Sequence, residues 1–229
     1  MRWFIDLKIS KKLISSFILI ALISGAMGAY GIYSLKSIDK SDTELYENMT
    51  VPISELGELG TNFQTLRVDI RDMLSAQSSE DVATKTKEIE EIRSNITKLG
   101  NSIEKTLVTS EVKKQYDIFV EARKVYGPEL DKVIEFAKAN KKDEAIAKNN
   151  QNVQSGQAEE NAIKNLISAT TNAAKEKSTL NSKNADTTIS IMIVVIAFVI
   201  IISILIGLYI SGLITKPLKK VLYIIEEMS

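Results

Sequence analysis

Two long uncharged apolar runs dominate the hydrophobic pattern of this chain, at residues 13–33 and 189–210. As α-helices these runs measure about 31 and 33 Å, which is enough to cross the hydrocarbon core of a bilayer. Lipid offers no hydrogen-bond partner to a backbone amide, so each run satisfies its own backbone only as a helix. With a few further residues after the second run, the pattern predicts transmembrane helices at 13–33 and 189–214.

The segment before the first run, residues 1–12, holds four basic residues and one acidic residue. Its Trp3 and Phe4 suit the headgroup layer of a membrane, although a disordered tail has the same composition. A signal peptide also has a basic start and an apolar run, and Ala26-Met27-Gly28 offers small residues for cleavage. Because this run is long for a signal peptide and continues into helical sequence, we expect it to be retained.

Residues 34–188 carry apolar positions at alternating three- and four-residue steps, the spacing of a coiled-coil seam. Three seams have this spacing: Leu56, Leu59, Phe63, Leu66, Ile70 and Met73; Ile89, Ile92, Ile96, Leu99 and Ile103; and Val112, Tyr116, Phe119, Tyr126, Leu130, Val133 and Ala137. Ser78 and Thr109 precede acidic residues at positions that predict helix N-caps. We therefore expect an all-α fold, with two transmembrane helices flanking an extracytoplasmic up-down-up-down four-helix bundle.

The fourth helix of the bundle is expected to begin near Glu144 and to run without proline into the second span. Its candidate seam contains Thr170, Ala174 and Lys177, which are small or charged. Strong burial would select larger apolar side chains, so we expect this helix to be loosely packed. It is either an element that slides or one that is simply exposed.

The three prolines mark expected irregularities, because proline has no backbone N–H and disturbs the carbonyl one turn earlier. Pro52 predicts a helix start or a kink, and Pro128, which follows Gly127, predicts a bend. Pro217 lies just after the second span among three lysines. There the pattern predicts a helix interruption.

Charge and composition narrow the location and the class of function. Both outer flanks are basic, as cytoplasmic segments are, so both termini are expected in the cytoplasm and the chain in the cytoplasmic membrane. The 29 basic and 29 acidic residues lack the basic excess of a nucleic-acid binder. Cysteine and histidine, the usual thiol nucleophile, general base and metal ligands, do not occur. We expect no catalytic residue, no metal site and no cofactor.

Small residues recur in the first span at Ala21, Gly25 and Ala29, a spacing that lets two membrane helices approach closely. The partner helix is either the second span or a second chain. The first and fourth bundle helices are expected to be longer than the middle two, which leaves a two-helix stalk that buries little. We expect a homodimer, in which two chains complete a bundle.

The order and spacing of four segments carry a family resemblance. The segments are IDLKISKKLISSFILIALISGAMGAYGIYSL, LYENMTVPISELGELGTNFQTLRVDIRDML, NKKDEAIAKN and ISGLITKPLKKVLYIIEEMS. Together they resemble the N-terminal half of bacterial methyl-accepting chemotaxis proteins with a four-helix-bundle sensory domain, and residues 215–229 resemble the start of a HAMP linker. The resemblance implies a second HAMP helix and a methylated, kinase-coupling hairpin beyond Ser229.

That resemblance implies a transmembrane chemoreceptor that senses an extracellular stimulus and passes it through the second span and Pro217, the signal junction, to a cytoplasmic domain. Similar sensory domains are attached to histidine kinases and cyclic-dinucleotide enzymes, so the output stays open. A structural two-span membrane protein is a further alternative.

Candidate ligand-binding residues are Arg67 and Arg71, which resemble the arginines late in the first outer helix of amino-acid receptors. At i and i+4 they share one helix face, and guanidinium groups bind carboxylates bidentately. We expect a small ligand such as an amino acid or organic acid, bound directly or through a ligand-carrier protein. Alternatively, the two arginines pair with Asp69, Asp72 or a neighbouring helix.

Arg123 falls on the third seam, where a charge is costly unless paired. A carboxylate on another helix would make it structural, and a cavity would make it a ligand anchor; we favour the structural role. Residues 149–152 offer amide donors, and a solvated turn is the expected environment for them.

Overall fold

The computed structural model describes residues 8–227, apart from the side chains at 218, 220–222 and 224–227. Every regular element in this range is a helix: α1 (Ile9–Leu45), a π-helix (Tyr46–Thr50), α2 (Val51–Ser75), α3 (Ser79–Glu104), α4 (Ser110–Lys138), α5 (Lys142–Gln151) and α6 (Val153–Glu227). The predicted all-α fold is confirmed. The predictions for Trp3 and Phe4 lie outside the described residues.

The chain divides into two compact units. One comprises Ser41–Leu180 and is called the bundle unit; the other comprises Met1–Lys40 with Asn181–Ser229 and is called the span unit. The bundle unit therefore contains α2 to α5 with the ends of α1 and α6 that adjoin them.

The core of the bundle unit is built from the predicted seams. All six residues of the first seam are buried, from Leu56 to Met73. In the second seam Ile89, Ile96 and Ile103 are buried, whereas Ile92 and Leu99 pack partly buried against them. Burying each such side chain contributes about 1.5–3 kcal/mol, so these stripes supply the main driving force for assembly of the bundle.

The N-terminal part of α6 packs closely on α2. Its buried residues include small ones, Ala162 and Ala173, beside the larger Ile163 and Leu166. At Gly60 of α2 a Cβ atom would lie 3.7 Å from the side chain of Ile163, an ordinary van der Waals distance, so the two helices are in contact at this position.

The predicted seam of the fourth helix is right only in part. Thr170 is buried, but Ala174 and Lys177 are half-buried, and the Lys177 Nζ donates to Glu44 at 3.1 Å. The buried stripe extends instead toward Glu159, which is 1 % exposed. A buried carboxylate gives no apolar signal, so the periodicity did not reveal it.

The short connections follow the predicted chemistry. The Ser78 hydroxyl accepts from the Asp81 N–H and caps α3, and the Thr109 hydroxyl accepts from the Val112 N–H and caps α4. Both predicted caps are confirmed. After α4 the chain turns through Asn140, whose φ of 58° is in the left-handed region that asparagine tolerates.

The helix start predicted at Pro52 is confirmed, because α2 begins at Val51. A π-helix precedes Pro52, and the Val51 N–H donates to the Tyr46 carbonyl five residues back. This wider turn adjusts the backbone just before a residue that cannot donate. The predicted interruption at Pro217 is wrong, because α6 continues through it to Glu227. A single proline removes one hydrogen bond, and the turns on either side keep theirs.

The span unit contains two helices long and apolar enough to cross a membrane. A stripe at three- and four-residue steps on each helix is less exposed than the rest, including Ile23, Met27 and Gly31 on α1. At Gly31 a Cβ atom would lie 3.2 Å from the Met192 side chain, which marks a close approach of the two helices. Elsewhere large apolar side chains are exposed, Phe17 by 67 % and Leu208 by 68 %, as expected for surfaces facing lipid.

Ala21, Gly25 and Ala29 lie on the exposed face of α1. A Cβ atom added at Gly25 would meet nothing within 4 Å. Within the chain, Gly31 rather than Gly25 is the close-approach position. The alternative in which the small residues face a second chain stays a prediction.

Candidate ligand cleft

A cleft of ≈ 450 Å³ opens on the bundle unit between α2 and the junction of α5 with α6, with one wall from α4. Its lining mixes polar and apolar side chains: Gln64, Arg67, Val68, Ile70, Arg71, Tyr126, Asn149, Asn152, Val153 and Gly156. We call this the α2–α6 cleft. Its volume falls in the range of small-molecule sites, about 300–1,000 Å³.

The two predicted ligand-binding arginines both line this cleft, as their one-turn spacing on α2 requires. Arg67 forms an ion pair with Glu160 of α6. Glu160 also accepts from Lys164 at 2.6 Å, and Lys164 together with Arg67 lowers the pKa of the Glu160 carboxyl. The alternative of pairing with a neighbouring helix therefore holds for Arg67.

Arg71 is exposed and has neither an ion-pair nor a hydrogen-bond partner within residues 8–227. The two acidic residues considered as its partners are engaged elsewhere, since Asp69 and Asp72 lie 3.1 and 3.8 Å from the Lys85 Nζ. The cation that pairs with these two α2 carboxylates is therefore Lys85 of the neighbouring helix α3. Arg71 thus keeps a full set of guanidinium donors available at the cleft.

Asn152 lies at the junction between α5 and α6 and is only 2 % exposed. The backbone remains bonded, because the Asn152 N–H donates to the Lys148 and Asn149 carbonyls. The side chain is not: within the described part of the chain neither its amide nitrogen nor its amide oxygen has a hydrogen-bond partner. The predicted solvated turn is wrong at this position, although Asn150 and Gln151 beside it are exposed.

Tyr126 forms the wall that α4 contributes. Its ring packs against Phe63 at 6.0 Å between centroids and approaches Gly156 so closely that a Cβ there would lie 3.2 Å from the ring. A side chain at this position would therefore crowd the ring, and Gly156 lets α6 lie closely against it. Burial raises the pKa of the Tyr126 hydroxyl to about 12, with Glu159 adding to the shift, so the phenol is neutral at physiological pH.

One turn away from the cleft, Arg123 belongs to a second and closed cluster. Its guanidinium lies 3.3 Å from Glu159 of α6 and donates to the Arg93 carbonyl and the Thr97 hydroxyl of α3, at 3.0 and 2.8 Å. Arg93 in turn pairs with Asp131 at 2.6 Å. The partner carboxylate expected for a structural arginine is therefore present.

Burial raises the pKa of the Glu159 carboxyl, and Arg123 opposes that shift. Burial likewise lowers the pKa of the Arg123 guanidinium, opposed by Glu159. Each group thus offsets part of the other's desolvation. This cluster ties α3, α4 and α6 together and leaves Arg123 no free donor face comparable to that of Arg71.

Sequence reasoning found the two arginines of the cleft but missed Asn152, Tyr126 and Gly156. Tyr126 was assigned to the seam, which is correct but incomplete. A glycine inside a helix, as at Gly156, signals a close approach and was the available clue.

Both α1 and α6 contribute one end to the helical bundle unit and also contain an apolar run long enough to cross a membrane. This arrangement suits a membrane-associated sensory module. The family described as a four helix bundle sensory module for signal transduction matches residues 6–185. Because this match covers most of the chain, the chain belongs to that family. Compared with curated proteins, it has no significant match.

Proposed function

We propose that this chain is the sensing and transmembrane part of a bacterial chemoreceptor that detects a small extracellular solute in the α2–α6 cleft. Family membership supports a role in sensing. The proposed detection of a solute depends on Arg67 and Arg71, which both line the cleft. Arg67 is paired with Glu160, whereas Arg71 has no partner within residues 8–227. An unpaired arginine in a cleft of this volume suits the carboxylate of an amino acid or organic acid.

The observation that carries the signalling proposal is the length of α6. This helix begins at Val153, supplies Gly156 to the cleft, and continues through the apolar run to Glu227. A solute that binds differently to two positions of this helix shifts the equilibrium between them by that difference in binding free energy. Pro217 is the proposed junction at which the shift passes to a HAMP bundle.

The receptor is proposed to act as a homodimer in the cytoplasmic membrane, with both termini in the cytoplasm. The exposed small residues Ala21, Gly25 and Ala29 suit a contact between the first spans of two chains. The basic flanks support the orientation. A ligand-carrier protein instead of a free solute is the alternative partner of the outer face.

Disulfide crosslinking tests this proposal directly, because the chain has no cysteine of its own. Single cysteines at positions 187–190 of the full chain in membrane vesicles report the distance between the α6 helices of a dimer. We expect crosslinking rates to change when amino acids, dicarboxylates or a culture supernatant are added. Lys132→Cys, on an exposed face of α4, is the control whose rate stays constant. Unchanged rates at all four positions with every stimulus would contradict the signalling role.

A further inference from the structure

The buried side chain of Asn152 is the feature of the cleft that most restricts its ligand. Buried amides are almost always hydrogen-bonded, yet this amide, 2 % exposed, lacks a partner for both its nitrogen and its oxygen among residues 8–227. It lines the α2–α6 cleft. A group that satisfies it places an acceptor beside a donor, and a primary carboxamide has that pair in the same plane and at the same spacing.

The charge of the cleft adds a second requirement. Arg67 and Arg71 line it, and among its lining residues that the structure describes there is no carboxylate. Arg67 is already paired with Glu160, whereas the guanidinium N–H groups of Arg71 have no acceptor within residues 8–227. The site therefore has an excess of positive charge that one ligand carboxylate would balance.

The remaining walls suit a short apolar stem between these two groups. Val68 and Val153 line the cleft with the Tyr126 ring, whose hydroxyl stays neutral. All of these lining residues belong to the bundle unit.

Resting on the sensing role proposed above, we infer that the α2–α6 cleft binds a small solute bearing a carboxylate and a carboxamide but no ammonium group, of the class of dicarboxylic acid monoamides such as succinamate and glutaramate. Arg71 receives the carboxylate, and Asn152 selects the carboxamide by a reciprocal pair of hydrogen bonds. Replacing the carboxamide by a second carboxylate removes the donor that the Asn152 oxygen needs and leaves that oxygen unpaired.

Calorimetric titration of the full chain in lipid nanodiscs tests this inference with matched probes. Succinamate is compared with succinate, and glutaramate with glutarate, since each pair differs only in the carboxamide. We expect at least one carboxamide to bind at least tenfold more tightly than its carboxylate analogue. Binding of both carboxamides that is equal to or weaker than that of their carboxylate analogues would overturn the inference. Absence of binding by every probe would also overturn it and would mean that only ordered water occupies the cleft.

Variants assign the roles of the two residues. Asn152→Leu keeps the approximate shape but removes donor and acceptor, and we expect it to abolish the tenfold preference; Asn150→Leu, at an exposed neighbour, is the matched control. Arg71→Gln should weaken both members of each probe pair alike, and Lys132→Gln should change neither. If Asn152→Leu does not fold by circular dichroism, Asn152→Ala tests the same point, because it also removes the donor and the acceptor and should abolish the preference.

The outcomes separate this inference from the proposed function. Retention of the preference in a folded Asn152 variant would overturn the carboxamide assignment. A crosslinking response at positions 187–190 to some other stimulus would leave the sensing role standing while the carboxamide assignment fails.

Discussion

The two arginine clusters of the bundle unit differ in how completely their hydrogen-bonding groups are satisfied. Arg123 contacts a carboxylate, a carbonyl and a hydroxyl on two neighbouring helices. Arg71, on the face of α2 that lines the cleft, has no such contact within the described residues. A cluster whose hydrogen-bonding groups are all paired holds helices together, whereas unpaired donors are available to bind a ligand.

The same contrast applies to the neutral groups. In the closed cluster the Thr97 hydroxyl is bonded to Arg123 at 2.8 Å. In the cleft the Asn152 amide is buried without a partner among the described residues, at a cost of about 1–3 kcal/mol. Proteins keep an unsatisfied buried group mainly where function needs it. We therefore expect the Arg123 cluster to contribute to stability and the cleft residues to contribute to binding.

The largest expected effect follows from opening the closed cluster. Arg123→Ala leaves Glu159 buried without its cation, so we expect the free energy of unfolding to fall by about 3 kcal/mol. Thermal unfolding of the full chain in detergent micelles, followed by circular dichroism, measures it. Lys124→Ala is the control, since within residues 8–227 the exposed Lys124 pairs only with the exposed Glu121, and the change in stability should be less than about 1 kcal/mol. Equal effects would show that the cluster is not structural.

The pH dependence of stability should report Glu159. Its pKa in the folded chain is raised above the ordinary value by burial. Between the ordinary and the raised pKa the folded state binds more protons than the unfolded state, so the stability contributed by this group is lost as pH rises through that window. In Arg123→Ala the cation that opposes this pKa shift is absent, so the loss of stability with rising pH should be larger. In Glu159→Gln this contribution should be absent, which unfolding at a series of pH values from about 4 to 8 would show.

A smaller effect of opposite sign is expected at the cleft. Asn152→Leu removes a buried amide that has no partner among the described residues, so the free energy of unfolding should rise by about 1 kcal/mol while the preference for the carboxamide is lost. The same substitution at Asn150, which is exposed, should not stabilise the chain. Destabilisation by Asn152→Leu in the absence of ligand would mean that the amide has an unrecognised stabilising partner.

The smallest expected change in stability is that of Arg71→Gln. Because Arg71 is exposed and makes no ion pair within residues 8–227, its replacement should alter the free energy of unfolding by less than about 0.5 kcal/mol. Ligand binding should nevertheless be strongly reduced. A stability loss comparable to that of Arg123→Ala would remove the distinction between the two clusters.

The sequence was sufficient for features that depend on local periodicity and local hydrogen bonds. The seam from Leu56 to Met73 and the caps at Ser78 and Thr109 were predicted because each depends on residues a few positions apart. The location of Arg67 and Arg71 on one face followed from the same spacing. These features do not require knowledge of which helices meet.

The remaining features depend on contacts between distant segments. The partner of Arg123 is Glu159, 36 positions away, and no local pattern identifies it. Asn152 looked like part of a polar turn, and only its position against α2 and Tyr126 makes it buried. Gly31 rather than Gly25 faces the second span, because the helix rotation is set by packing with Met192.

The central claim is that occupancy of the α2–α6 cleft moves α6. The most direct measurement is the disulfide crosslinking rate of Thr187→Cys in membrane vesicles, with and without each probe, compared between the chain that keeps Arg71 and the chain that also carries Arg71→Gln. The account predicts a rate that changes on addition of succinamate or glutaramate when the native arginine is present and stays constant when it is replaced. A rate that responds equally in both chains, or in neither, would contradict it.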